Sequence, residues 1–305
     1  MKFGDKGNDV RLMQEGLLAR GYNLPRFGVD GDFGQETATA LRQFAADNCI
    51  DWKSGYVSFR LLDLVLDQVP MVTVPPDPPI TDFGLDVRFM DLRSEQLNPP
   101  VLARKFKRNR HGRVVRRDPS EITGITIHQT AVKYSVADYQ IVKAGGDREL
   151  ALARRALRVA CHVMTFHNGL VVAANPLDWY IHHGNGFNRF ELGIEIDGNY
   201  PGLIGGETWN KKQATKTTDL SISAARAGIE YLVREGRKAG MPITQIHAHR
   251  QSSATRRSDP GEELWRRVVL EYAVPVLGLE TEPAKVLRNG RPIPKEWDDN
   301  GVGSY

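Results

Sequence analysis

Apolar and polar positions follow two different rhythms along this chain. In roughly the first 68 residues the rhythm is helical. Val10, Leu12, Met13, Leu17 and Leu18 recur at helical spacing, Asn8 stands where it can cap the helix, and Gly21 ends it. A second helix is expected with Ala38, Leu41, Phe44 and Ala45 inward, and a third from near Val57 to Leu66, with Leu61, Leu62, Val65 and Leu66 inward. Between the first two lies the turn-rich loop Gly28-Val29-Asp30-Gly31-Asp32-Phe33-Gly34.

The rhythm breaks at residues 69–79, where five of eleven residues are proline. Such a stretch favours extended polyproline geometry, so residues 69–82 are assigned as a linker. Beyond it the pattern is mixed α/β. Ile122 to His128 is β-branched and reads as a strand. Arg148 to Ala160 reads as a helix. Val163–His167 and Leu170–Ala173, joined by Asn168-Gly169, read as a hairpin. Leu192–Ile196 is a further strand and Ser221–Ala239 a long amphipathic helix stopped by Gly240 and Pro242. Ile243–His247 is a last strand, and Pro260-Gly261 opens a helix over Glu262–Val274. Residues 276–305 are polar, rich in Pro and Gly, and expected to be irregular. The fold class is therefore α/β, a mixed central sheet flanked by helices, preceded by a small three-helix domain.

A length of 305 residues suits two domains. No apolar run is long enough to span a membrane, so stable membrane insertion is not expected. The N-terminus lacks the apolar core of a signal peptide, so synthesis in the cytoplasm and action at the wall or periplasm after release is the expectation. The net charge of +4 suits a polyanionic partner without choosing one. The basic stretch Arg104–Arg117 reads as a solvated linker edge. Cys49 and Cys161 lie far apart and are expected to stay reduced.

Six of the eight histidines carry the candidate chemistry, and they cluster at expected strand ends: His128, His162, His182 with His183, and His247 with His249. Asp259 lies ten residues after His249. Two imidazoles and a carboxylate from separate strand ends suffice for a catalytic zinc, leaving the fourth position open. By spacing alone, histidines of the core or surface are the stronger reading.

Two resemblances change the picture. Residues 4–14, G-D-K-G-N-D-V-R-L-M-Q, and 30–44, D-G-D-F-G-Q-E-T-A-T-A-L-R-Q-F, are similar to the three-helix peptidoglycan-binding domain of wall hydrolases, over about residues 1–68. That family's second D-G-x-x-G-x-x-T is replaced here by Asp51-Trp52-Lys53-Ser54-Gly55-Tyr56-Val57-Ser58. Ile125-Thr126-Ile127-His128-Gln129-Thr130-Ala131 resembles the I-x-I-H-x-T-A strand of the zinc amidase family. That family includes phage lysozyme-type amidases, bacterial N-acetylmuramoyl-L-alanine amidases and peptidoglycan recognition proteins. Cys161-His162-Val163, His182-His183-Gly184, Leu192–Ile196, and Ala248-His249-Arg250 with Arg257-Ser258-Asp259-Pro260-Gly261 follow in the family's order.

The second resemblance implies an amidase domain over residues 83–275. It implies Zn2+ held by His128, His249 and Asp259, lowering the pKa of a bound water and polarising the scissile carbonyl. It places Glu195 as the general acid/base, and Arg257, where the family keeps lysine, as the cation for the oxyanion. An extended backbone from Arg257 to Asp259 would aim both side chains the same way. His182 lines the substrate groove, and His162 packs beneath the site. Cys161, where some relatives carry a catalytic tyrosine, reads as a small buried residue. The segments 139–158 and 200–218 look long for the family and either shape the groove or cover the sheet.

The function expected is hydrolysis of the amide between N-acetylmuramic acid and L-alanine in peptidoglycan, as a monomeric phage lysis enzyme. The alternatives are a non-catalytic recognition module and a secreted antibacterial effector. Nucleic acid is not an expected partner: the charge is modest and no interleaved aromatic and basic motif occurs.

Overall fold

The computed structural model describes residues 1–47, the isolated positions 52, 57, 61, 62 and 65, and residues 86–96 and 103–305. The chain forms two compact units, Met1–Pro76 and Asp77–Tyr305. The expected linker at 69–82 and most of the third N-terminal helix lie outside the described residues.

In the first unit, α1 (Asn8–Ala19) and α2 (Gln35–Asp47) bury Val10, Met13, Leu17, Ala38, Leu41, Phe44 and Ala45 in one core, which Val57, Leu61 and Val65 complete. Two details differ from expectation. Gly7, not Asn8, occupies the cap and offers no side chain. Leu12 and Leu18 are exposed, because they flank the buried stripe rather than lie on it. The Asp30–Phe33 loop is tied down by the buried Gln14. Its amide donates to Asp30 Oδ1 (2.8 Å) and Thr37 Oγ1 (2.9 Å) and accepts from Gly31 N–H (2.8 Å).

The second unit is built on a six-stranded sheet of order β1-β4-β3-β5-β2-β6. The strands are β1 (Arg88–Asp91), β2 (Gly124–Gln129), β3 (Val163–Thr165), β4 (Leu170–Ala173), β5 (Glu191–Ile196) and β6 (Gln245–Ala248). Only β3 and β4 pair antiparallel. Their hairpin turns at Gly169, whose φ of 90° carries it into the left-handed region.

Period-two alternation gives the sheet two unlike faces. On one, Ile125, Ile127, Leu192, Ile194, Ile196, Ile246 and Ala248 pack under α5 (Asp219–Lys238) and the C-terminal helix. That helix starts as α6 (Glu262–Leu264) and widens into π-type turns over Trp265–Ala273. The other face carries Thr126, His128, Glu191, Gly193, Glu195 and His247, the residues between those apolar positions. Helices α3 (Asp138–Lys143) and α4 (Arg148–Ala156) belong to this side. Leu152, Ala153 and Ala156 of α4 cover Met164, Leu170 and Val172 of β3 and β4. Of the two long insertions, the first therefore covers the sheet. Over β6 the cover is Phe187, stacked on His247, and the cavities reach this face only at the strand ends, near Gln129, Glu195 and His249.

Two further expectations are refined. The basic stretch is a largely solvated edge, with Arg104, Lys107, Arg108, Arg110, Arg113 and Arg116 exposed, but parts of it are built into the domain. Phe106 stacks edge-on against Trp179, and Arg117 is buried, donating to the carbonyls of Glu191 (2.6 Å), Leu177 (2.7 Å) and Asn188 (3.1 Å). The segment after residue 276 is irregular, yet Ile293 and Trp297 are fully buried in the main core.

Candidate active site

Parallel register sets His128 of β2 beside Glu195 of β5 on the polar face. The turn after β6 brings His249 alongside, and the loop before α6 returns Asp259. Atoms of His128, His249 and Asp259 all lie within 4.8 Å of one another. His128 Nδ1 is 2.9 Å from His249 Nδ1, which is 3.0 Å from Asp259 Oδ2.

Neighbours settle which atoms are free to bind. His183 Nε2 lies 3.1 Å from the Glu191 carbonyl, which can only accept, so Nε2 carries the proton and Nδ1 is the acceptor. His128 Nε2, 3.2 Å from that Nδ1, must then donate. The lone pair of His128 is left on Nδ1, facing His249 and Asp259. Burial pushes the His183 pKa down to about 3 and that of His128 well below its usual range, so both rings are neutral at pH 7. On the carboxylate, Gln129 N–H binds Asp259 Oδ1 at 2.8 Å and leaves Oδ2 for the cluster. The result is two imidazole nitrogens and one carboxylate oxygen, oriented from behind as zinc ligands usually are. This donor set fits the metal that the resemblance implies.

Gly193 makes the arrangement possible. A Cβ there would come within 2.7 Å of the His183 ring. His162 packs below as expected, fully buried, with Nδ1 accepting from Gly193 N–H at 2.9 Å. Cys161 is a buried core residue.

Beside the cluster a cavity of about 220 Å³ is lined by Glu195, Lys105, Tyr134, His182 and Arg256 among others. Glu195 Oε2 is buried with no hydrogen-bond partner among the described residues. Burial, then the neighbouring Asp259 carboxylate, raises its pKa to about 8, against the pull of Arg256 and Lys105. A second cavity of about 600 Å³ shares His183 and His249 with the first. It too is reached by His182 and Arg256, and Tyr180, Asn185 and Arg288 join them. From the long 200–218 insertion Trp209, 51% exposed, sits beside Arg256, whose guanidinium is 5.6 Å from its ring centroid, and the two line a small pocket with Gln129, Ser258 and Asp259.

Arg257 is not where the sequence places it. The 254–256 segment is helical and Arg257 itself has φ −56° and ψ −28°, so side chains 257 and 259 do not share a direction. Arg257 turns away to Tyr305, 5.3 Å from that ring centroid, and Arg256 is the cation that lines the cavities. Arg256, Lys105, Tyr134 and Arg288 were all missed by motif reading. Lys105 sits in a basic run that resembles a solvated edge, and Arg288 lies outside every motif.

The sequence signature of the N-acetylmuramoyl-L-alanine amidase family matches residues 118–262, and that of the peptidoglycan binding domain matches residues 6–64. The chain thus carries a domain of this amidase family, with a peptidoglycan-binding domain ahead of it. Two curated relatives match over short stretches. The type VI secretion system spike protein VgrG3 of Vibrio cholerae is 46% identical over 41 residues, 13% of this chain and 4% of that protein. The N-acetylmuramoyl-L-alanine amidase CwlL of Bacillus licheniformis is 38% identical over 42 residues, 14% of this chain and 12% of that protein. The chain thus spans a small part of each. Among solved structures, the amidase LysC of Clostridium intestinale aligns with 53% of this chain and 89% of its own, at 18% identity and a TM-score of 0.32. Bumblebee peptidoglycan recognition protein SA aligns with 61% of this chain and 97% of its own, at 18% identity and a TM-score of 0.38.

Proposed function

We propose that the amidase domain hydrolyses the amide between N-acetylmuramic acid and L-alanine, as a zinc enzyme of the phage-lysis type. The observation that carries this reading is the unpartnered Glu195 carboxylate oxygen, buried in a cavity beside His128, His249 and Asp259. A recognition module has no need of such a group; a hydrolase needs a general base within reach of its water. His128 Nδ1, His249 Nδ1 and Asp259 Oδ2 would hold the ion, which when bound supplies Lewis acidity toward the scissile carbonyl. Glu195 takes the proton of the attacking water and returns it to the leaving L-alanine amine. Its raised pKa suits the second half of that cycle, when the carboxyl must donate. Arg256 faces the same cavity, where negative charge develops on the carbonyl oxygen. His182 lines the groove for the substrate. The peptidoglycan-binding domain supports the same polymer as partner. We take the protein to act as a monomer at the wall.

Zinc-loaded protein incubated with purified sacculi should release stem peptides with a new free L-alanine amino terminus and no new reducing sugar ends, as read by mass spectrometry. Unaltered sacculi, or products cut elsewhere, would overturn the assignment.

A further inference from the structure

The segment ahead of the matched amidase signature folds as a hairpin with a basic tip. Residues 103–117 hold eight lysines and arginines and no acid, so the rest of the chain is net negative. The two arms pair through Val115 N–H to the Lys107 carbonyl (2.8 Å) and Asn109 N–H to the Arg113 carbonyl (2.9 Å). The turn between them is fixed. Asn109 Oδ1 accepts from His111 N–H (2.9 Å) and Arg113 N–H (3.1 Å), and Gly112 takes a left-handed φ of 77°. The stem is anchored to the domain: Phe106 and Val114 are buried with Trp179 and Ile181, and the Lys107 and Arg117 amides donate to the carbonyls of Tyr180 (3.1 Å) and Asp178 (2.7 Å).

Beyond the stem the side chains are polar. Lys107, Arg108, Arg110, His111 and Arg113 are all exposed, and none of the four lysines and arginines has an ion-pair partner among the described residues. Arg116, lower on the stem, is paired with Asp178 at 2.6 Å. Four like charges crowded on one turn repel one another, which opposes folding. The fold gives no reason for them, since Phe106, Val114, Asn109 and Gly112 suffice to build the stem and the turn.

The chemistry of the tip selects its partner. The planar fork of arginine suits phosphate oxygens. No aromatic ring stands among the exposed tip residues, whereas single-stranded nucleic acid is held by cations together with rings on which bases stack. None of the tip residues lines a cavity described above, so the tip encloses nothing and meets a plane rather than a thread. With no apolar side chain there to insert, contact stops at the headgroups. We propose that this hairpin docks the protein on an anionic, phosphate-bearing membrane surface through Arg108, Arg110 and Arg113. A bilayer presents its phosphates already arrayed in a plane, while a flexible polymer must be ordered to meet the same three residues. The foot of the hairpin reaches the candidate site: His182 N–H donates to the Lys105 carbonyl (2.8 Å), and Lys105 lines the cavity of Glu195. A docked tip therefore holds the groove beside the membrane.

The test mixes the full-length protein with vesicles of equal parts phosphatidylglycerol and phosphatidylethanolamine, or with neutral phosphatidylcholine vesicles, and reads co-sedimentation. Wild type should sediment with the anionic vesicles alone. It should be released as salt rises from about 0.1 M to about 1 M, which shortens the screening length from about 10 Å to about 3 Å. Arg108→Ala, Arg110→Ala and Arg113→Ala combined should weaken binding by about 10²-fold, because each basic residue at such a surface is worth about fivefold. Lys107 is left in place, since its Nζ lies 4.8 Å from the Tyr180 ring centroid at the groove. The matching triple lysine variant should keep most of the affinity, and both variants should unfold no earlier than wild type. Failure of wild type to bind anionic vesicles, undiminished binding by the alanine variant, or an equal loss in the lysine variant overturns the proposal. Tighter capture by soluble poly(glycerol phosphate) or by DNA than by vesicles, at equal phosphate, overturns the membrane as partner. Binding is read without substrate, so each outcome holds whether or not the protein cleaves peptidoglycan.

Discussion

Side-chain direction decides which of two adjacent arginines acts. Motif order points to Arg257, but it lies in a helical turn and stacks on Tyr305, while Arg256 faces both cavities. Arg256→Ala should therefore lower kcat by about 10²-fold, as loss of an oxyanion-stabilising group does elsewhere. Arg257→Ala should leave kcat within about threefold and cost only the modest stability of an exposed contact. Steady-state kinetics on a soluble muropeptide checks this, and the reverse ranking would restore Arg257. Glu195 gives the second prediction. Glu195→Gln should keep zinc but lose about 10²–10⁴-fold in turnover, the usual weight of a general acid/base. It should also change the pH dependence of stability in the metal-free protein. A carboxyl whose folded pKa is about 8 binds more protons folded than unfolded, so its contribution falls as pH rises from 4.5 to 8. His183 and His128, both depressed, act with the opposite sign, but only below about 6.5. Between pH 6.5 and 8 wild type should thus lose stability relative to Glu195→Gln, by at most about 1.4 kcal/mol per pH unit. Parallel urea curves for the two proteins across that window would show Glu195 already ionised.

At the scale of elements, the strands were legible because alternation records which face is wet. In Glu191–Ile196 the polar residues and Gly193 lie on the face that carries the site, where Glu195 lines the cavity, and Leu192, Ile194 and Ile196 enter the core. Short pieces without such a record, β1 and α3, were not legible: Arg88–Asp91 is a half-exposed edge strand and α3 buries no residue. The terminal segment was legible only as irregular, since its order comes from long-range packing rather than local periodicity. Arg250 is held between Trp297 and Tyr305, with ring centroids 4.7 and 5.3 Å from its guanidinium carbon. Tyr305 Oη lies 2.6 Å from the hydroxyl of Ser258, the residue before Asp259. Gly202 is required for this, because any Cβ there would overlap the Tyr305 ring. The segment therefore braces the loop that carries both His249 and Asp259. Tyr305→Ala should weaken zinc binding by about tenfold, as removal of groups that orient ligands does. Competition against a chelator reads this directly, and an unchanged affinity would reduce the segment to a cover.

Across the whole molecule, both family signatures fall inside a separate compact unit: residues 6–64 within Met1–Pro76, and 118–262 within Asp77–Tyr305. The first unit has its own buried core, with Phe33, Leu41 and Phe44 among its fully buried side chains, and a loop fixed by Gln14. Its core is small, so its stability alone should be marginal. The second unit contains every residue of the candidate site. Separation of this kind predicts a division of labour. A fragment of residues 1–76 should co-sediment with purified sacculi and release nothing. A fragment of residues 77–305 should keep kcat on a soluble muropeptide within about twofold of the full chain. On intact sacculi the same fragment should be slower, because tethering to the polymer raises the local substrate concentration, an advantage of up to about 10²-fold for linked sites. If the second fragment matches the full chain on sacculi, the first unit contributes nothing to wall engagement. If it loses kcat on the soluble substrate, the first unit supports the site itself, and the division fails.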